Sequence, residues 1–266
     1  MDWLGASGEW IGLGVMAAVF LALAGIELLA PRRAASQPKA RRWITNLSLF
    51  ALDTALVRIA IPLLMIGTAQ LAAERGWGLF NLVALPGWVE FVAAIVLLDL
   101  VLYLQHWATH RVPVLWRLHK VHHSDPDFDV TTAARFHPFE IALSMLWKMA
   151  CVALLGAGAL AVFAFEVLFN AATIFTHANV SLPPALDRLA RALIVTPDMH
   201  RIHHSAIRRE TDSNYGTVLS GWDRLFATYT GAAEKGQDGL TIGLETYQDA
   251  RPTGLGWSLL LPFRKD

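Results

Sequence analysis

The chain has 266 residues, 55% of them hydrophobic and 17% charged, with 22 Lys and Arg balanced by 22 Asp and Glu. That length suits one sizeable domain, and the apolar excess with positive mean hydropathy argues against an ordinary soluble protein. A zero net charge without a long basic stripe leaves nucleic acid no electrostatic footprint, and the single Cys151 excludes an intrachain disulfide.

Asp2 and Glu9 stand where a secretory leader would need a basic start, so the apolar run that follows reads as a retained anchor. Trp10 to Ala30 is about long enough to cross a hydrocarbon core of roughly 30 Å. Only Glu27 is charged within it. The next loop, Pro31 to Trp43, gathers Arg32, Arg33, Lys39, Arg41 and Arg42, a concentration of cations expected on the cytoplasmic side. Ile44 to Ala73 is a second span, expected to kink at Pro62; Asp53 and Arg58 inside it need partners on other helices or a place in the bundle interior. The linker AERGWGLFNLVALPG has no cationic excess, which puts it on the opposite side, with Trp77 and Trp88 suited to an interfacial belt.

A third span, Trp88 to Gln105, delivers His106 at its cytoplasmic end. Asp99, two turns earlier on the same face, reads as an acceptor for an imidazole or for a helix above the site, or as a buried polar group of helix packing. Ile141 to Phe175 is too long for one crossing, and the flexible LLGAGAL interrupts it. Since His137 precedes it and His177 follows it, a hairpin with helices near 141–156 and 159–176 is expected, with Lys148 and Glu166 needing interior partners or snorkelling. Beyond Ser181-Leu-Pro-Pro the chain is mixed in character, with a helical DRLARALIV, then NYGTVLSGWDRLFATYTG, then a Gly-rich charged tail over 231–266. The expected fold is a single all-α domain: an integral-membrane helical bundle under a cytoplasmic helical cap, 106–140 and 177–230, that carries a histidine-rich dimetal site.

All ten histidines fall between His106 and His204. They form His106-x3-His110, His119-x2-His122-His123 and His200-x2-His203-His204, with His137 and His177 as singles. On a helix, residues four apart share a face, so His106 and His110, His119 and His123, and His200 and His204 are converging pairs. Eight clustered imidazoles exceed the four ligands of a closed zinc site, so two metals are expected. Imidazole suits Fe, Zn, Cu or Ni rather than Mg or Ca, and an excess of ligands without Cys favours open, catalytic coordination over structural zinc. Asp198 and Asn214 read as acceptors that orient imidazoles, with helix capping as the other reading of Asp198. The DPDFD run at Asp125 to Asp129 reads as a solvated loop, and Arg135, Arg201, Arg208 and Arg209 as surface charge.

HWATH, HKVHH and HRIHH, with TTAARFHP, THANV and NYGTVLSGWDRLFATY, resemble the fatty acid hydroxylase/sterol desaturase superfamily of integral-membrane di-iron oxygenases over about Leu97 to Thr230. The resemblance implies two Fe ions, with Zn as a possible substitute, and O2 as co-substrate for hydroxylating or desaturating an unactivated C–H bond of a membrane lipid such as a fatty acyl chain or sterol. The implied ligands are His106, His110, His119, His122, His123, His200, His203 and His204, joined by His137 and His177. No cytochrome b5 or ferredoxin domain is fused, so electrons are expected from a separate carrier of that type with its reductase. The site is expected on the cytoplasmic side of a multi-pass protein, in the inner membrane if the source is bacterial. A zinc-dependent membrane hydrolase and a metal transporter or sensor are the competing readings.

Overall fold

Long apolar runs have no water to satisfy their backbone in a bilayer, so they close their hydrogen bonds internally as helices. The computed structural model describes residues 6–61 and 63–264, all-helical apart from two isolated bridges. Five of its helical stretches are long and apolar enough to cross a membrane. In chain order the elements are α1 (Ala6–Leu29), α2 (Lys39–Ala60), α3 (Leu64–Arg75), the single turn α4 (Leu79–Leu82), α5 (Gly87–Arg111) and α6 (Pro113–His123). They continue with α7 (Pro138–Leu155), α8 (Ala159–Thr176) and the short helices α9 (Pro184–Ala190), α10 (Pro197–His203), α11 (Arg208–Thr211) and α12 (Gly221–Leu225).

The second span differs from its expectation. It is two helices, α2 and α3, broken around Ile61, with Leu64 in the left-handed region at φ 50°. Pro62, the expected kink, lies outside the described residues. The third span also runs further than expected, because α5 continues through His106 and His110 to Arg111. It stops at Val112, whose extended backbone is what the following Pro113 demands. The hairpin is α7 and α8. His137 caps α7 by accepting from the Phe139 N–H at 3.2 Å, Pro138 fills the first helical position, and Gly156 ends the helix in the left-handed conformation.

α8 packs on α1, α3 and α5, while α7 packs on α2, α3 and α5. Their shared core joins Leu98, Val152, Val162 and Phe165 with the small Ala69, Ala94, Ala157 and Ala161, which bring backbones close where lipid supplies no hydrophobic force between helices. LLGAGAL belongs to this packing. A Cβ on Gly78 (φ 92°) would lie 2.1 Å from the Gly156 nitrogen, so the linker and the hairpin tip meet backbone to backbone.

At the other end α6, α10 and the loops build a cap, and the segment 231–264 is part of it. Ala206 N–H donates to the Thr241 carbonyl at 2.8 Å and Gly243 N–H to the His204 carbonyl at 3.1 Å. DPDFD is not a solvated loop: Asp125 and Asp129 are buried. Arg42, on α2, grips Asp125 through Nε and Nη2 at 2.7 and 2.8 Å and Asp129 through Nη1 at 2.7 Å. Burial alone would raise the Asp125 carboxyl, but the Arg42 guanidinium holds it down at about 2.

Arg135 and Arg201 are likewise interior rather than surface charges, each fully buried. Arg135 donates to the Val121 and Pro252 carbonyls at 2.8 Å and to Asn46 Oδ1 at 2.8 Å. Arg201 ties the α10 turn to the Ala178 and Val180 carbonyls at 3.2 and 3.3 Å. Of the four arginines read as surface charge, Arg208 and Arg209 are exposed, paired with Asp212 and Glu234.

Candidate metal centre

α5 presents His106 and His110 one turn apart, α6 presents His119, His122 and His123, α10 with its C-cap presents His200, His203 and His204, and His177 ends α8. These side chains sort into two groups. His106, His110, His119, His123 and His203 form one; His122, His177, His200 and His204 form the other, and within each group a ligand atom from every residue lies within 4.8 Å of the rest. Each pair spaced by four stays together, while α6 and α10 each send their remaining histidine to the opposite group. The groups adjoin where His123 stacks on His204 with ring centroids 4.5 Å apart.

Backbone and carboxylate acceptors fix six of the nine rings. Nδ1–H of His106 donates to the Tyr215 carbonyl (2.8 Å), that of His203 to Ser213 (2.6 Å), that of His122 to Arg135 (3.2 Å) and that of His177 to Thr173 (2.7 Å). His119 Nδ1 lies 2.6 Å from Glu140 Oε1, and His110 Nδ1 lies 3.4 Å from Asp212. With Nδ1 occupied, Nε2 carries the lone pair.

That tautomer makes a test of what the site can hold. His203 Nε2 faces His106 Nε2 at 3.0 Å, and His177 Nε2 faces His122 Nε2 at 3.2 Å. Each contact brings two lone pairs together with no proton between them. The Nε2 atoms of His110, His119, His123 and His204 are buried without a partner. Burial, reinforced by neighbouring imidazoles, pushes His122, His123, His200 and His204 well below the ordinary histidine range, and burial brings His177 to about 4 and His203 to about 3. These six rings are neutral donors at pH 7, and converging neutral donors fit a cation between them. The all-nitrogen set fits a borderline transition ion rather than Mg or Ca.

The other sequence candidates lie elsewhere. His137 is in neither group; it caps α7, and its Nε2 is 3.3 Å from the Leu259 carbonyl. Asp198 pairs with Arg201 and neither caps α10, which Thr196 does, nor meets an imidazole. Asn214, at φ 53°, donates to the Met199 and Thr230 carbonyls at 3.0 and 2.9 Å; it locks the backbone from which Ser213 and Tyr215 reach their histidines. Asp99 accepts from Leu219 N–H (3.1 Å) and Trp222 Nε1 (2.8 Å), so it holds the segment above the site.

Sequence reading missed Glu140, whose signal was an acidic side chain opening an apolar helix just after RFHP. It also missed Tyr215, whose ring packs edge-on against His106, His110 and His203.

A cavity of about 420 Å³ runs from His106, His119, His122, His177 and His200 into the bundle between α2, α5, α7 and α8. Glu166 and Phe169 of α8 line it, as does Lys148 of α7.

Comparison with known proteins returns a family model described as Fatty acid hydroxylase, matching residues 91–228. The alkylglycerol monooxygenase of Xenopus tropicalis is 32% identical over 181 residues, covering 65% of this chain and 38% of that protein. Its human counterpart is 29% identical over 210 residues, covering 74% and 45%. The ornithine lipid hydroxylase OlsE of Rhizobium tropici is 34% identical over 145 residues, covering 53% and 41%. The chain thus spans less than half the length of these relatives, and no solved structure matches it.

Proposed function

The chain belongs to the fatty acid hydroxylase family, and from that premise we propose that it is an O2-dependent membrane monooxygenase in which the two histidine groups hold a pair of iron ions and a lipid C–H bond is hydroxylated. The observation that carries the reading is the pair of opposed imidazole sets, buried except for the half-buried His106, at the end of a cavity that runs into an apolar bundle. Such a centre supplies the oxidant, with two electrons from a separate carrier of cytochrome b5 or ferredoxin type and its reductase.

The chain's own residues do the positioning. Carbonyls of Tyr215, Ser213, Arg135 and Thr173 keep the Nε2 atoms of His106, His203, His122 and His177 aimed inward, which raises ligand basicity and fixes ring orientation. Phe136 stacks on His122 at 4.4 Å and helps exclude water from the site. Relatives named for alkylglycerol and ornithine lipid support lipid hydroxylation. The cations of residues 31–43 at the histidine end support a cytoplasmic site, in the inner membrane if the source is bacterial.

The test is turnover by the iron-loaded, purified chain with a reductant and extracted membrane lipids, read by mass spectrometry with and without O2. A lipid heavier by one oxygen atom, formed only in O2, is expected. Lipid cleavage that proceeds equally well without O2 would overturn the reading in favour of a zinc hydrolase.

A further inference from the structure

The cavity that reaches the histidines is not lined as a tunnel for a bare hydrocarbon would be. Asp53 on α2, Gln105 on α5 and Glu140 on α7 all line it. Each keeps an oxygen buried without a hydrogen-bond partner: Asp53 Oδ1, Gln105 Oε1 and Glu140 Oε2. Asp53 is only 4% exposed. Two of the three sit beside the metal-facing rings, since Gln105 precedes His106 in α5 and the other oxygen of Glu140 accepts from His119 at 2.6 Å.

All three orphans are acceptors. A buried acceptor is costly unless something donates to it, and three that converge from three helices on one cavity call for donors in what fills it. An alkyl chain or a sterol ring face has none to offer, and neither has a fatty acid carboxylate, which only accepts. Arg58, Lys148 and Glu166 line the same cavity. Lys148 is two turns beyond Glu140 along α7, and Glu166 is more than two turns before the His177 cap of α8, so these two charges lie along the helices away from the histidine end.

We propose that the cavity binds a lipid whose polar end carries hydrogen-bond donors, hydroxyl or ammonium, anchored by Asp53 and assisted by Gln105 and Glu140, so that the oxidised carbon lies close to that polar end rather than far along the chain. The proposal rests on the monooxygenase reading only in taking this cavity as the substrate site; binding itself needs no turnover.

The test uses the full chain in detergent, loaded with zinc so that no oxidation intervenes. Affinities are measured for 1-O-hexadecylglycerol, its bis-O-methyl derivative, the hexadecylammonium ion and methyl palmitate. Wild type is expected to bind the glycerol ether or the ammonium at least tenfold more tightly than the methylated ether and the ester. Asp53→Leu should erase that gap. Asp53→Asn, which keeps an acceptor oxygen but no charge, should retain the gap for a hydroxyl ligand and lose it for an ammonium, which identifies the donor. Equal affinity for free and methylated probes in wild type would overturn the proposal. So would a gap that Asp53→Leu leaves intact in a protein that still holds its metals.

If Asp53→Leu does not fold, Gln105→Leu takes its place, with a reduced gap expected and an unchanged gap counting against the proposal. Iron-loaded protein separates the two claims. Oxidation of the methylated and free ethers at equal rates would sink this inference and leave the monooxygenase reading standing. Selective binding with no oxidation at all would do the reverse.

Discussion

The two ends of the molecule are built on different physics. In the bundle, Leu98, Val152, Val162 and Phe165 pack among alanines through apolar contact. In the cap, Arg42, Arg135 and Arg201 are each buried and spend their donors on named carboxylates, amides and carbonyls. The bundle needs volume and close approach, whereas the cap needs direction, because nine imidazoles must be aimed at two points. Side-chain changes of similar size should therefore cost much more in the cap than in the bundle.

The largest effect is expected from Arg135→Ala. It would orphan Asn46 Oδ1 and the Val121 and Pro252 carbonyls and leave Asp125 with one cation fewer. Removing one member of a buried charge network costs about 3–5 kcal/mol, and the His122 acceptor would shift with it. A thermal-unfolding series should show this variant as the least stable of the set. Gly78→Ala is the case most able to break the comparison, since it lies at the bundle's far end yet meets backbone at 2.1 Å and holds φ 92°. We expect it to approach the Arg135 variant in stability loss, while its metal content stays at the wild-type level.

Glu140→Gln is expected to spare the fold and weaken metal binding 10- to 100-fold, the usual effect of disturbing a ligand's hydrogen-bond partner; competition with a chelator measures it. Metal removal adds a pH dependence. His177 and His203 sit at about 4 and about 3 through burial, against roughly 6.5 in an unfolded chain. Below pH 6.5 the unfolded state takes up protons that the folded state refuses, so stability of the metal-free protein falls as pH drops toward those values and is regained above 6.5. A flat unfolding temperature between pH 7 and pH 5 in the stripped protein would contradict this. The smallest effect is Val162→Ala in the bundle core, about 1 kcal/mol or less of lost packing, with metal content untouched.

The same contrast explains what the sequence made legible. Spans and hairpin could be read because hydropathy is a local signal: α7 and α8 lie within a few residues of 141–156 and 159–176. An interruption of the second span was legible from Pro62, but its division into separate helices α2 and α3 was not, as the apolar run continues through it. The i,i+4 histidine pairs were legible from helix geometry, and each pair does share a group. The cap's directed bonds were not. Arg42 and Asp125 are 83 residues apart, so DPDFD looked like solvated charge, and Arg135 and Arg201 looked like surface. Carbonyl acceptors such as those of Ser213 and Tyr215 leave no mark in a sequence, since every residue has one. His137 resembled a ligand by its motif, yet its Pro138 neighbour already spelled a helix start, and capping is the role it takes.

Metal content per chain tests the two-centre account most directly. Elemental analysis of protein expressed with ample iron should give two ions per chain in wild type, and about one in either His110→Ala, from the first group, or His200→Ala, from the second. A single ion in wild type, or a full complement of two in both variants, would contradict it.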